Sequence, residues 1–171
     1  MIRELNFFPQ TIGYFRYEGN LSLLLKRIYQ IQSKVPNFNY QYPKETLYQT
    51  PFNLFEVYPE FSSLSNFILE NIEDYFDLDL EYINSWINIY HKYGYSAFHT
   101  HTPAFCSGVF YISTTPETHL GIHNKHEPHM IQDIPVNDGD ILFFDGDQPH
   151  STMPHVNDKD KVCIAFNLRK L

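Results

Sequence analysis

Cysteine is scarce in this chain, which has only Cys106 and Cys163 among its 171 residues. Two cysteines cannot build the disulfide framework of a small secreted domain, so both are expected to be buried free thiols rather than nucleophiles. A charged N-terminal segment followed by an apolar run is missing, and no apolar run is long enough to cross a bilayer. These absences predict a cytoplasmic protein that does not bind membranes.

Basic residues are also few, with 12 lysines and arginines against 20 acidic residues and a formal net charge of −8. An acidic surface repels phosphate backbones and no basic cluster offsets it, so a nucleic-acid partner is disfavoured. Repeats, low-complexity segments and glycine- or serine-rich linkers are absent too. The 43% of hydrophobic residues predict a single domain over residues 1–171 with a substantial core, and a homodimer is left open.

Residues 1–82 are predicted to form an opening strand or two followed by supporting helices. In the segments 21–35 and 62–76, apolar residues recur every three or four positions, as on the buried face of an amphipathic helix. Residues 83–171 show short runs between turn residues, as in an all-β sandwich or barrel. The predicted strands are 83–92, 97–101, 106–114, 118–123, 129–134, 139–145, 149–154 and 161–169. The chain is therefore predicted to be mainly β, with the N-terminal helices packed on one outer face.

The last predicted strand has two contrasting faces, because successive side chains of a strand point to opposite sides. The bulky apolar face consists of Val162, Ile164, Phe166 and Leu168. The small or polar face consists of Lys161, Cys163, Ala165 and Asn167. The first face suits packing against helices, whereas the second leaves room for a ligand inside the sandwich.

The stretch AFHTHTPAF places His99 and His101 two residues apart in a predicted strand, so both imidazoles project from one face. Imidazole pairs suit Fe, Zn, Ni or Cu, and such a site needs a third ligand from elsewhere. His150 is the best candidate, because it follows a strand and a tight turn at residues 145–147 that can return it beside the pair. The structural alternative is exposed strand histidines and a turn histidine bonded to the backbone.

The remaining histidines favour structural roles, although all nine histidines of the chain lie between residues 91 and 155. His91 and His155 are expected to satisfy backbone or surface groups. A loop-rich segment contains His119, His123, His126 and His129. We expect this segment to form a solvent-facing rim, with a secondary metal site or substrate contacts as the alternative.

HTHTPAFCSGVFYIS, GDILFFDGDQPHSTMP and DKVCIAFN follow one another in the chain, preceded by SWINIY. In this order they resemble the Fe(II)/2-oxoglutarate-dependent oxygenases, specifically an uncharacterised bacterial and phage branch related to prolyl hydroxylases. The resemblance covers about residues 84–169. It implies a double-stranded β-helix, a cupin-like jelly roll, that binds Fe(II) and uses 2-oxoglutarate and O₂ as cosubstrates. Zn or Ni are alternative occupants of the metal site.

By this resemblance His99 and His150 are metal ligands. His101 stands where the wider superfamily has the carboxylate of its HxD/E motif. An imidazole there leaves the metal with one negative charge fewer than the usual triad of two histidines and one carboxylate. All three histidines are thus the candidate catalytic metal ligands.

The candidate residues for 2-oxoglutarate are Lys161 and Tyr111, with Asn88 and Arg169 as weaker ones. Lys161 stands where the family has an arginine that grips the distal carboxylate, and lysine supplies the charge without the bidentate fork. The alternative for Lys161 is a solvated lysine beside Asp158 and Asp160, and for Tyr111 an ordinary core aromatic.

The resemblance implies hydroxylase-type oxidation of an unknown primary substrate, with a peptide or protein side chain as one option. A cupin-like metal-binding protein that does not use 2-oxoglutarate is the alternative, because GDILFFDGDQPH resembles the second cupin motif. The glutamate of the first cupin motif is missing after HTH, however. A non-enzymatic jelly-roll interaction protein is the third alternative.

Overall fold

A computed structural model describes residues 2–7 and 10–171 of the chain. The helices are α1 (Leu21–Gln32), α2 (Leu54–Val57) and α3 (Ser62–Phe76), with a 3₁₀ turn at Pro59–Phe61. The strands are β1 (Arg3–Phe7), β2 (Gln10–Arg16), β3 (Leu47–Gln49), β4 (Leu80–Tyr90), β5 (Ser96–His99), β6 (Cys106–Ser113), β7 (His119–His123), β8 (Ile131–Pro135), β9 (Asp140–Asp145), β10 (His150–Thr152) and β11 (Lys161–Lys170).

The strands form two antiparallel sheets. The larger, seven-stranded sheet has the order β1-β2-β9-β6-β11-β4-β3, and the smaller, four-stranded sheet has the order β5-β10-β7-β8. From β4 onward the chain passes back and forth between the sheets in the manner of a jelly roll, except that β7 and β8 form a hairpin within the smaller sheet. The predicted mainly-β double-stranded β-helix is therefore confirmed.

The predicted elements agree with the structure where the sequence pattern is long. Helix α3 covers the predicted segment 62–76, and β4 to β11 correspond one by one to the predicted strands. Helix α1 ends three residues before the predicted end at residue 35, because the residue before Pro36 is disfavoured in a helix. β3 and α2 were not predicted, since three or four residues carry too little periodicity.

The helices pack on the outer face of the larger sheet, as predicted. Ile28 of α1 and Ile68 of α3 join a core cluster with Phe110 of β6 and with Ile164 and Phe166 of β11. All five side chains have 0% exposure, and burying each contributes roughly 1.5–3 kcal/mol. The bulky face of the last strand thus anchors the helices.

A second core lies between the two sheets and fills only part of that space. Apolar side chains fill one part; they include Leu120, Ile122, Ile134, Leu142 and Phe144. The rest is a cavity of about 720 Å³, lined by the small or polar face of β11. Cys106 and Cys163 are buried free thiols, as predicted.

The helices of the described residues include none long and apolar enough to cross a membrane.

Candidate metal centre and adjoining cavity

The two short strands β5 and β10 bring the predicted metal ligands together. His99 ends β5 and lies directly opposite His150, the first residue of β10, in the antiparallel pair. The ring of His150 is 4.2 Å from that of His99 and 5.1 Å from that of His101, between centroids. The ligand-type nitrogen atoms of the three residues all lie within 4.8 Å of one another. Within residues 2–7 and 10–171, this is the single group of three or more candidate ligands found.

Backbone carbonyls orient two of the three imidazoles. His99 Nδ1 lies 2.7 Å from the oxygen of Ala97, and His150 Nδ1 lies 2.9 Å from the oxygen of Gln148. In each pair Nδ1–H is the donor, since a carbonyl only accepts. The lone pair of Nε2 then points away from the backbone, which is the usual arrangement of a histidine that binds a metal.

Burial holds the three imidazoles in the neutral form. Desolvation lowers the pKa of His99 and lowers that of His101 to about 4, where nearby His99 adds to the effect. Desolvation also lowers the pKa of His150 well below its usual value. Neutral imidazole is the form that coordinates a metal, so the cluster is ready for one at neutral pH.

A network of hydrogen bonds braces the segment that carries His150. Gln148 is buried, and its Nε2 donates to the oxygens of His123 and Pro149 at 2.8 and 2.9 Å. The backbone nitrogen of His123 donates to Pro149 at 3.0 Å, and Ser151 Oγ lies 2.8 Å from His123 Nε2. The network fixes the carbonyl of Gln148 that orients His150.

The buried position of His123 corrects the expectation of a solvent-facing rim for its segment. His123 Nδ1 also bonds the oxygen of Pro128 at 2.7 Å, so both ring nitrogens are engaged in structural bonds. His119 is half-buried, whereas His126 and His129 are exposed, as the rim prediction requires. The prediction failed at His123 because Ser151 of β10 and Phe98 of β5, both distant in sequence, contact its ring.

The turn after β9 joins the loop that carries His101 to the segment that carries His150. The backbone nitrogen of His101 donates to the oxygen of Gly146 at 2.8 Å, and Gly146 donates to Phe105 at 3.2 Å. A Cβ atom at Gly146 would lie 2.0 Å from the oxygen of Ala104. Only glycine therefore permits this close approach.

The two histidines expected to have structural roles do so. His91 Nδ1 pairs with Asp160 Oδ1 at 2.7 Å, and His155 is buried with Nε2 2.6 Å from the oxygen of Lys159.

Lys161 lies in the cavity beside the histidines, with 2% exposure. Its Nζ is 3.7 Å from the ring centroid of Tyr90. It forms no ion pair or hydrogen bond with any part of the chain that the structure describes. Desolvation lowers the pKa of Lys161 to about 8. The alternative of a solvated lysine is wrong, since Asp158 pairs with Lys92 instead.

Tyr111 and Asn88 line the same cavity. The hydroxyl of Tyr111 is buried and has no hydrogen-bond partner among the described residues. Asn88 Oδ1 accepts from Gln49 Nε2 at 3.0 Å. Arg169 does not belong to this cavity, because it is exposed and bonds Glu81 at 2.6 Å on the surface.

Tyr90 and Gln148 contribute to the site but were not predicted. Tyr90 is two residues after Asn88 on β4, so strand alternation alone places both on the cavity face. Gln148 shows no comparable signal, because its role depends on hydrogen bonds to a distant strand.

Residues 84–167 match a family model described as putative 2OG-Fe(II) oxygenase. Comparison with curated protein sequences finds no match.

Several solved structures share the fold. HygX from Streptomyces hygroscopicus, with nickel and 2-oxoglutarate bound, is 12% identical with a TM-score of 0.72, covering 94% of this chain and 83% of that chain. SnoK, a non-heme alpha ketoglutarate dependent carbocyclase from nogalamycin biosynthesis, is 10% identical with a TM-score of 0.80, and the match covers 94% of this chain and 80% of SnoK. A prolyl-4-hydroxylase from Pseudomonas putida is 11% identical with a TM-score of 0.70, and the match covers 95% of this chain and 94% of the hydroxylase. At these identities the likeness establishes the fold, and roles must come from the residues themselves.

Proposed function

We propose that this chain, whose residues 84–167 match the model of the putative 2OG-Fe(II) oxygenases, is such an oxygenase and oxidises an organic substrate with Fe(II), 2-oxoglutarate and O₂ beside its three histidines. The observation that carries this proposal is an unpaired, buried ammonium group, that of Lys161, in the cavity that the histidines also line. Such a cation is costly to bury alone, and an anionic ligand would compensate it.

His99, His101 and His150 are the proposed ligands of Fe(II). Their burial keeps all three neutral, and imidazole nitrogen is a suitable donor for Fe(II), Ni(II) and Zn(II). The cluster contains no carboxylate among the residues described, so the protein supplies three neutral donors. A bound dianion such as 2-oxoglutarate would then supply the negative charge that the ligands lack.

Lys161 and Tyr111 are the proposed partners of the distal carboxylate of 2-oxoglutarate. Lys161 brings a charge and Tyr111 an unpartnered hydroxyl donor, and both groups are buried on adjacent strands. Charge-assisted hydrogen bonds of this kind are stronger inside a protein than at its surface. Asn88, beside Cys163 in the neighbouring strand, is proposed as a further polar contact.

Bound Fe(II) and 2-oxoglutarate would supply the redox chemistry, in which O₂ is consumed, 2-oxoglutarate is decarboxylated to succinate and a C–H bond is oxidised. The chain's own part is to orient the cosubstrate through Lys161, to orient His150 through the carbonyl of Gln148, and to exclude water with the buried walls of the cavity. The likeness to a prolyl-4-hydroxylase supports a peptide or protein side chain as the primary substrate. A single domain, a cytoplasmic location and a homodimer stay predictions.

The test is an anaerobic titration of the metal-free protein with Fe(II) and then 2-oxoglutarate, in which a visible metal-to-ligand charge-transfer band should appear. Lys161→Ala should weaken 2-oxoglutarate binding by roughly 30-fold or more with little change in metal affinity, because the ligand carboxylate loses its buried partner. Lys161→Arg should retain much of the binding. Lys92→Ala, which removes an exposed lysine, is the matched control.

Three results would contradict the proposal in different ways. Metal binding without 2-oxoglutarate binding would favour the cupin-like alternative. If Lys161→Ala binds both the metal and 2-oxoglutarate as tightly as the parent does, Lys161 is not part of the site. Absence of metal binding in the parent would favour a non-enzymatic jelly roll.

A further inference from the structure

The cavity floor extends well beyond the residues proposed for 2-oxoglutarate. In β11 the inward-facing residues run from Lys161 through Cys163 and Ala165 to Asn167. The six-residue separation of Lys161 and Asn167 corresponds to about 20 Å along a strand. A five-carbon cosubstrate held at Lys161 cannot reach Asn167, so the far end of the cavity is free for another molecule.

A hydrogen-bonded row of polar side chains lines this far end. The strand register places Asn167 opposite Asn84 on one side and Ser107 on the other. Ser107 Oγ donates to Asn167 Oδ1 at 2.7 Å, and Asn167 Nδ2 donates to Asn84 Oδ1 at 2.7 Å. The amino group of Asn84 forms no hydrogen bond with the described residues. The row therefore ends in a free donor at the cavity.

A strip of aromatic rings leads from the protein surface to the histidine cluster. Trp86 lies 5.7 Å from His101 and 5.2 Å from Phe52, between ring centroids. Phe38 lies 5.6 Å from Phe52 and 5.1 Å from Tyr40. Tyr40 is 77% exposed, whereas Trp86 is only 6% exposed. The indole Nε1 of Trp86 is buried without a partner in the described part of the chain, so a second donor stands unused here.

Apart from Lys161, the described residues of the cavity walls carry no formal charge. The chain has 20 aspartates and glutamates, yet no Asp, Glu or Arg is among the described residues that line the cavity. A cationic group would find no carboxylate there, and a second anion would find no cation beyond Lys161. Desolvating either without a counter-ion is unfavourable.

We propose that Asn84, Trp86, Ser107 and Asn167, with the aromatic strip, form the primary-substrate site and select an uncharged group that presents an amide carbonyl. This inference rests on the proposed function, which it deepens by naming the substrate class. An acceptor is required because the two unused groups, on Asn84 and Trp86, are both donors. The planar amide and any apolar body attached to it would pack against the aromatic rings.

The test measures binding to the full chain loaded with redox-inert Zn(II), with and without 2-oxoglutarate, by calorimetry. The probes are blocked tripeptides, N-acetyl-Ala-Xaa-Ala-amide, in which Xaa is Phe, Lys or Glu. The neutral peptide should bind at least 10-fold more tightly than either charged peptide. It should also change the fluorescence of Trp86, the single tryptophan of the chain.

Two variants make the selectivity testable in both directions. Asn84→Asp introduces a carboxylate, so it should weaken binding of the neutral peptide and bind the Lys peptide about 10-fold more tightly than the parent does. Trp86→Phe keeps an aromatic ring but removes the N–H donor, so the neutral peptide should bind about 3- to 10-fold more weakly. Asn157→Asp, in the loop before β11, is the matched control. It should change neither the affinity for the neutral peptide nor that for the Lys peptide.

The outcomes separate the two proposals. If the parent prefers the neutral peptide but never binds 2-oxoglutarate, the proposed function fails while the substrate site stands. If 2-oxoglutarate binds but the charged peptides bind as tightly as the neutral one, or Asn84→Asp leaves the preference unchanged, the inference is overturned. Binding of the cyclic dipeptide cyclo(Ala-Phe) in preference to the tripeptides supports the amide class with a small molecule as its source. The inference is also overturned if none of the amide probes binds, or if the chain binds only maltose, an uncharged compound that has no amide.

Discussion

Replacing Lys161 by Met should stabilise the metal-free protein, although Lys161 is a proposed ligand residue. Methionine has a similar length and no charge, so the substitution removes a buried ammonium group without leaving a large cavity. Desolvation lowers the pKa of Lys161 from 10.5 to about 8. That difference corresponds to about 3 kcal/mol of unfavourable free energy in the folded state at neutral pH. Cation–π attraction to Tyr90, which lies 3.7 Å away, offsets up to about 2 kcal/mol of it. The expected gain is therefore about 1–3 kcal/mol.

The pH dependence of this gain follows from the direction of the pKa change. Because the folded pKa is lower than the unfolded one, the unfolded chain binds more protons between about pH 8 and 10.5. The parent should therefore become more stable as the pH rises through this window. The variant lacks this group, so the difference between the two proteins should shrink toward zero near pH 10.5. Titrating groups remote from Lys161 are common to both proteins and cancel in the comparison.

Urea unfolding of the metal-free parent and of Lys161→Met at pH 7, 8, 9 and 10 measures the effect. When both proteins are loaded with metal, 2-oxoglutarate at about 100 times its Kd for the parent should then add about 2.7 kcal/mol to the parent and much less to the variant. A variant that is less stable than the parent at pH 7 would refute the reasoning. So would a stability difference that stays constant from pH 7 to pH 10, because the ammonium would then not be the source of the penalty.

Three further predictions concern the metal centre and the cosubstrate. His150→Ala should abolish binding of one equivalent of metal, as measured by dialysis and metal analysis, and retention of that equivalent would exclude His150 as a ligand. Gly146→Ala should lower metal affinity at least 10-fold, since its Cβ would lie 2.0 Å from the oxygen of Ala104 and displace the loop of His101; unchanged affinity in a folded variant would contradict this. The affinity for 2-oxoglutarate, followed by calorimetry, should fall as the pH rises above about 8, where Lys161 loses its proton, and this fall should be absent in Lys161→Arg. An identical pH profile in both proteins would argue against the ion pair.

The fold was predictable where a pattern repeats over many residues. Segment 62–76 keeps its apolar stripe through a complete helix, and the alternation of residues 161–168 separates a helix-facing side from a cavity-facing side. Both patterns are local consequences of helix and strand geometry. His99 and His101 lie side by side as predicted, with ring centroids 4.9 Å apart. The predicted strand 97–101 ends early, however, because β5 stops at His99, and the bond from the backbone of His101 to Gly146 holds the second histidine in place.

The remainder depends on contacts between distant segments. The row from Ser107 through Asn167 to Asn84 exists only because β6, β11 and β4 align in one register. Burial of His123 likewise depends on its bond to Ser151 of β10 and on ring contact with Phe98 of β5. Spacing within the sequence carries no information about such a register, so these residues could not be singled out before the sheets were known.

The placement of two proposed ligands on facing short strands has a consequence for the sheet itself. β5 is an edge strand of only four residues, and its partner β10 has three, with an irregular register after His150. So few backbone hydrogen bonds give this edge little protection against local opening. An ion shared by His99 and His150 would act as a cross-strand clamp, and part of its binding free energy would be spent on ordering the edge. Amide hydrogen exchange in β5 should therefore slow on metal loading, while that of β11, held between two long neighbours, stays unchanged.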